Sequence, residues 1–93
     1  MRHKFLVHDP RDSVGVAVAE IGSGEEVVGT VLDGGGSLQV RAREAIPLGH
    51  KLALAAIGHG DVVIEYGVPI GKAARAIAKG EHVHVHNLKS ARW

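Results

Sequence analysis

The spacing of glycine constrains the fold of this chain more than any other feature of its sequence. Thirteen glycines are spread over 93 residues, and few segments between them reach the roughly 11 residues of a mean α-helix. The unit Ile-x-x-Gly-x-x-(Val/Leu) occurs four times, starting at Ile21, Ile46, Ile57 and Ile77. Each unit predicts a strand that ends on isoleucine, a tight turn placed by glycine, and a new strand. The irregular spacing between units favours a compact barrel-like fold over a solenoid.

Between the glycines, several short segments show β-branched residues in the alternating pattern that is typical of β-strands. The predicted strands are 5–8, 14–18, 27–31, 37–43 and 62–66. The alanine-rich stretch 51–57 is interpreted as a strand, and 72–77 is left open between strand and helical turn. Stretch 66–71, with one proline and two glycines, predicts a turn, and 33–36 predicts a hairpin loop. The expected fold class is all-β, in a single domain over residues 1–93.

Composition and charge argue against several kinds of partner and location. The net charge is +1 and the basic residues are scattered, so nothing indicates binding to nucleic acid or to an anionic membrane. No stretch approaches the ~20 apolar residues of a membrane span, and the N-terminal apolar stretch is too short for a signal peptide. Cysteine is absent, which excludes disulfides and thiolate metal sites. We expect a cytoplasmic domain.

The run Glu-His-Val-His-Val-His-Asn at 81–87 contains the main candidates for chemistry. Its alternation predicts a strand with His82, His84 and His86 on one face and both valines in the core. Imidazoles are suited to metal binding and to acid–base catalysis near neutral pH. On a straight strand the first and third histidines lie about 13 Å apart. One ion could therefore take only two adjacent histidines, and its other ligands would come from elsewhere.

Two further candidates have alternative interpretations. His50 and Lys51 follow Gly49 and could bind an acid substrate, or be polar residues of an exposed turn. Asn87 could orient a substrate carboxylate or hydroxyl, or be a turn residue. A domain this small can hardly enclose a substrate. If it takes part in catalysis, we expect it to contribute part of a site that another polypeptide completes.

Three motifs, in order, resemble one known domain. Segments 49–54 (Gly-His-Lys-Leu-Ala-Leu), 66–71 (Tyr-Gly-Val-Pro-Ile-Gly) and 80–87 resemble the N-terminal SAF domain of the altronate/galactarate dehydratase family. Segments 5–8 and 12–21 are similar to it as well. The resemblance implies a β-clip type of fold. It also implies a metal-dependent hydro-lyase that removes water from a sugar acid to give a 2-keto-3-deoxy acid.

The resemblance also implies roles for individual residues by position. The implied catalytic residues are His84, His86 and Asn87, which match the family's His-x-His-Asn. The implied substrate-binding residues are His50 and Lys51, which match its Gly-His-Lys. His84 and His86 are implied ligands of a divalent metal, Fe(II) or Mn(II), shared with a large subunit. His82 is a further candidate ligand, at a position where the family motif is less strict.

The chain stops shortly after the histidine motif, which predicts a separately encoded small subunit that is inactive alone. Its expected partner is a large catalytic subunit, and a homo-oligomer is also compatible with the sequence. One alternative is the alpha subunit of (2R)-sulfolactate sulfo-lyase, which eliminates sulfite, and another is a non-catalytic carbohydrate-binding or assembly module. A free-standing metal-binding protein is disfavoured, because two strand histidines without a carboxylate form a poor site. Trp93 is predicted to anchor the partner.

Overall fold

The computed structural model describes residues 3–90, which form short β-strands joined by tight turns. The strands are β1 (His3–Val7), β2 (Val14–Ala17), β3 (Glu26–Val31), β4 (Ser37–Arg41), β5 (Lys51–Ala53), β6 (Val62–Glu65), β7 (Val68–Ala73), β8 (His82–Val83) and β9 (Leu88–Ser90). Residues 3–90 contain no helix, and hence none that could cross a membrane. The predicted all-β class is confirmed, as is the loop at 33–36 between β3 and β4.

The strands are arranged in two sheets. Six strands form one sheet in the order β4-β3-β1-β2-β5-β8, and the other sheet has the order β6-β7-β9. Neighbouring strands are antiparallel except β1 and β3, which are parallel. The pairing of β5 with β8 places Leu52 opposite His82 and Lys51 opposite Val83. The two sequence segments that carry the candidate site residues are therefore adjacent strands.

The four Ile-x-x-Gly units form the corners of the fold. Their isoleucines are buried and pair through isolated antiparallel bridges, Ile21 with Ile46 and Ile57 with Ile77. The unit glycines have φ between 80° and 85°, a left-handed conformation that favours glycine. The predicted turns are thus confirmed. The isoleucines differ from the prediction, because each forms a bridge beyond the end of the preceding strand instead of ending that strand.

The core has two halves that meet at β5. One half packs around Phe5 and the Ile21–Ile46 bridge, and the other around Val63 and the Ile57–Ile77 bridge. Within β5, Leu52 belongs to the first half and Ala53 to the second. Burial of both residues fixes β5 firmly. Because β5 begins directly after His50, its position also fixes where the candidate residues His50 and Lys51 lie.

Two sequence-based predictions about strands need correction, and the structure decides the stretch 72–77 that was left open. In the stretch 66–71 only Tyr66 and Gly67 turn the chain, with φ of 58° and 72°, and the rest belongs to β7. The stretch 51–57 is a strand only as far as Ala53, and 72–77 only as far as Ala73. In both, the chain must bend after the strand to bring the next isoleucine into its bridge.

Candidate functional site

The chain leaves the path of a strand directly after β8. Residues 84–87 form a turn, in which the N–H groups of Asn87 and Leu88 donate to the His84 carbonyl at 3.1 and 2.9 Å. Val85 is 78% exposed. The predictions of one continuous strand over 81–87 and of a buried Val85 are therefore wrong. The turn prevails because the asparagine side chain offers the backbone local hydrogen bonds that compete with a strand.

Asn87 stabilises this turn by hydrogen bonds between its side chain and the backbone. Its side chain is fully buried, and its Oδ1 accepts a hydrogen bond from the His84 N–H at 3.0 Å. Its Nδ2 donates to the His82 carbonyl at 2.8 Å and to the Glu81 carboxylate at 3.4 Å. Of the two roles considered for Asn87, these contacts correspond to the turn residue. Direct contact between Asn87 and a substrate stays a prediction.

The turn brings together histidines that a straight strand would separate. The ring centroids of His82 and His86 lie 5.3 Å apart, and those of His82 and His84 lie 5.6 Å apart. The separation of about 13 Å expected for a straight strand is wrong, because the chain reverses after Val83. The run at 81–87 therefore presents neighbouring imidazoles on a turn.

His50 joins these histidines from a distant part of the sequence. Its Nδ1 lies 2.8 Å from Nε2 of His82, and its ring centroid is 4.3 Å from that of His84. One ring nitrogen from each of His50, His82 and His84 lies within 4.8 Å of the other two. We call these three residues the imidazole cluster. The family resemblance implies His84 and His86 as metal ligands, with His82 as a further candidate. The imidazole cluster contains His82 and His84 of these three, together with His50, and does not contain His86.

The second corner explains why His50 is free to join the cluster. In the other three corners an acidic residue follows the turn glycine and accepts a hydrogen bond from the N–H next to the isoleucine. These bonds are Gly22 to Glu25 at 2.8 Å, Gly58 to Asp61 at 2.9 Å and Ala78 to Glu81 at 3.0 Å. In the second corner Pro47 takes the donor position and has no N–H, so no carboxylate is needed. His50 occupies the position that the acidic residue has in the other three corners. This difference is visible in the sequence, but the predictions above did not use it.

The surroundings of His82 and His84 favour neutral rings. Burial lowers the pKa of His82, and the nearby His50 and His86 lower it further, against an opposing effect of Glu44. Desolvation also lowers the pKa of His84, followed by the effects of His50 and Lys51. A neutral imidazole is the form that accepts a proton or binds a metal ion. His82 and His84 can therefore act as bases or as ligands near neutral pH.

Charged residues and a cleft border the imidazole cluster. Lys51 lies 3.8 Å from the buried carboxylate of Glu65, and Glu44 accepts a hydrogen bond from the His82 N–H at 3.1 Å. An open cleft of about 560 Å³ lies alongside, lined by β7, β8, the turn after β8 and β9, and also by Lys51. Its size suits a small molecule or an inserted side chain. Trp93, predicted to anchor a partner, is outside the described residues.

The fold and its histidine-bearing corner define a SAF domain. The family described as altronate/galactarate dehydratase SAF domain matches residues 3–91, and the chain belongs to this family. The resemblance inferred from its three motifs is thus confirmed.

Individual relatives include proteins of two lengths. The chain is 47% identical over 90 residues to the (2R)-sulfolactate sulfo-lyase subunit alpha of Chromohalobacter salexigens, covering 96% of each chain. It is 38% identical over 86 residues to the altronate dehydratase of Bacillus subtilis, covering 92% of this chain and 16% of that protein. It is 43% identical over 79 residues to the altronate dehydratase of Escherichia coli, covering 85% of this chain and 15% of that protein. The chain thus matches one small subunit over nearly its whole length and only a short part of the dehydratases.

Proposed function

We propose that this chain is the small subunit of a lyase that eliminates a group β to the carboxylate of a hydroxy acid. The observation that carries the proposal is the imidazole cluster, with His86 next to it, beside Lys51 at the edge of an open cleft. This arrangement supplies a base and a cation but too few groups to enclose a substrate. We therefore assign the remainder of the site to a large catalytic subunit, and the chain alone is expected to be inactive.

The chemistry of β-elimination matches the groups present. A base removes the proton from the carbon α to the carboxylate, a carbon–carbon double bond forms, and the bond to the leaving group breaks. The enol product then tautomerises to a 2-keto acid. We assign proton removal to His86, which is exposed and lies outside the imidazole cluster, with His84 as its catalytic neighbour. We assign attraction of the substrate carboxylate to Lys51, which must exchange part of its interaction with Glu65 to do so.

A divalent metal shared with the large subunit is part of this proposal. The donors present fit such an ion, because one imidazole nitrogen from each of three histidines lies within 4.8 Å of the other two. An ion such as Fe(II), held in part by histidines of this chain, would supply Lewis acidity for the departing group. The chain's own residues would orient the substrate and move the proton.

Two leaving groups are compatible with this chemistry, and we favour sulfite. Support for sulfite is the 47% identity to a sulfo-lyase alpha subunit over 96% of both chains. Support for water comes from the two altronate dehydratases, which are 38% and 43% identical. Both reactions remove a proton α to a carboxylate, so the small domain can play the same part in either.

Reconstitution with a large subunit tests the proposal. The chain is co-expressed with a sulfo-lyase-type or dehydratase-type large subunit, and the complex is assayed on sulfolactate, altronate and galactarate. We expect a stable complex that releases sulfite from sulfolactate. Replacing His84 and His86 together by Ala should lower turnover by roughly 100-fold or more, whereas the control His59→Ala should not. Unchanged turnover in the double variant would contradict the assigned roles, and failure to bind either subunit would favour a non-catalytic module.

A further inference from the structure

We infer that the imidazole cluster is a binding site for one late first-row divalent cation, such as Zn²⁺, Co²⁺ or Ni²⁺, and that this chain fills it without a partner. The inference deepens the proposed function and rests on it for the catalytic use of the ion. It changes the expectation from sequence, because two histidines of one strand are too few for such a site. The third, His50, is supplied by the corner before β5.

The distances suit a shared ion. Metal–imidazole bonds of 2.0–2.1 Å place the nitrogens of ligands on one ion about 3.0–3.4 Å apart. The nitrogens of His50 and His82 are 2.8 Å apart, and all three members of the cluster fall within 4.8 Å. Small rotations about side-chain bonds would equalise these distances without movement of the backbone. His84 is the exposed member, so its ring has the most freedom to adjust.

The backbone of each ligand is held in place before any ion arrives. The His50 carbonyl accepts a hydrogen bond from β2 at 2.8 Å. The His82 N–H donates to Glu44 at 3.1 Å, and the His82 carbonyl accepts from Asn87 at 2.8 Å. The same asparagine accepts from the His84 N–H at 3.0 Å. Fixed ligands lose little freedom on binding, which is what gives a preformed site its affinity.

The donor set selects the class of ion. The three donors are imidazole nitrogens with no carboxylate among them. Imidazole suits Zn²⁺, Cu²⁺, Ni²⁺ and Fe²⁺, whereas Mg²⁺, Ca²⁺ and Mn²⁺ prefer oxygen ligands. Three protein ligands also leave at least one coordination position open, as in catalytic metal sites. We therefore expect Zn²⁺, Co²⁺ and Ni²⁺ to bind more tightly than Mn²⁺, and Mg²⁺ not to bind.

Metal titration of the full 93-residue chain, without an affinity tag and stripped with a chelator, tests the inference. Calorimetry with Zn²⁺ and visible absorption with Co²⁺ should each report one ion per chain. His50→Ala and His84→Ala should each weaken Co²⁺ binding at least roughly tenfold. His59→Ala is the matched control, because His59 is an exposed corner histidine outside the cluster, and it should change nothing. Circular dichroism checks that each variant is folded.

Several results would overturn the inference. These are no ion bound by the folded wild-type chain, unchanged binding in folded His50→Ala, or an equal loss in the His59→Ala control. If His50→Ala does not fold, the milder His50→Gln replaces it in the same comparison. A chain that binds no ion but assembles with the large subunit and supports turnover would overturn this inference alone. A chain that binds one ion through the imidazole cluster while its complex is inactive would support it and count against the proposed function.

Discussion

Replacing Asn87 by Ala is expected to destabilise the domain and to release the turn that carries His84 and His86. The Asn87 side chain is fully buried and makes hydrogen bonds to the His84 N–H at 3.0 Å and to the His82 carbonyl at 2.8 Å. Alanine removes both bonds and leaves one donor and one acceptor of the backbone without a partner. The contact with Glu81 at 3.4 Å is long and adds little.

The size of the loss follows from these two bonds. Removing one partner of a buried hydrogen bond costs about 1–3 kcal/mol, because the remaining group has lost its contact with water. Two such bonds give about 2–6 kcal/mol, and partial access of water to the turn favours the lower part of this range, about 2–3 kcal/mol. In a domain of this size 1 kcal/mol shifts the unfolding midpoint by about 4–8 °C. The midpoint of the Asn87→Ala variant should therefore fall by roughly 10–20 °C.

Thermal and urea unfolding followed by far-ultraviolet circular dichroism measures this loss. Asn87→Asp is the matched variant, since it keeps the size and the acceptor oxygen but places a carboxylate oxygen against the His82 carbonyl. At pH 7 it should be about as unstable as Asn87→Ala. Below about pH 4 its difference from wild type should narrow, because a protonated carboxyl donates again. An Asn87→Ala variant within about 0.5 kcal/mol of wild type would refute the structural role and leave Asn87 free to contact substrate.

Three other measurements test the fold and the electrostatics. Stability should fall as the pH drops from about 7.5 to about 5.5, because the pKa values of His82 and His84 are lowered in the folded chain and the unfolded chain takes up protons first. Urea unfolding at these pH values measures this loss of stability, which should be smaller when both histidines are replaced by Ala. Gly71→Ala should cost roughly 3 kcal/mol, since its Cβ would lie 2.1 Å from the Lys89 carbonyl oxygen between β7 and β9. At Gly60 an added Cβ would meet no atom within 4 Å, but the backbone φ is +85°, so Gly60→Ala should lower the free energy of unfolding by only about 1–2 kcal/mol. A larger loss of stability at Gly60 than at Gly71 would contradict this explanation.

The local features of this fold could be predicted from the sequence because their causes are local. A glycine at a left-handed position and an isoleucine that must be buried specify each corner within a few residues. Alternation likewise located β2, β3 and β6 to within one residue at each end. Val85 shows the limit of this reasoning. Its alternating neighbours indicate a strand, but the buried Asn87 side chain bonds to the backbone at His84 and turns the chain instead.

The amino-acid sequence by itself determined the all-β class, the four corners and the family, because each depends on residue types at short, fixed spacing. Only the tertiary structure decided that His50 lies beside His82, a residue 32 positions away. That contact depends on the pairing of β5 with β8, which results from burial of Leu52 and Ala53 in the two halves of the core. The spacing of residues along the chain does not predict which strands pair, because strand pairing depends on the packing of the whole domain. The imidazole cluster is therefore a property of the fold.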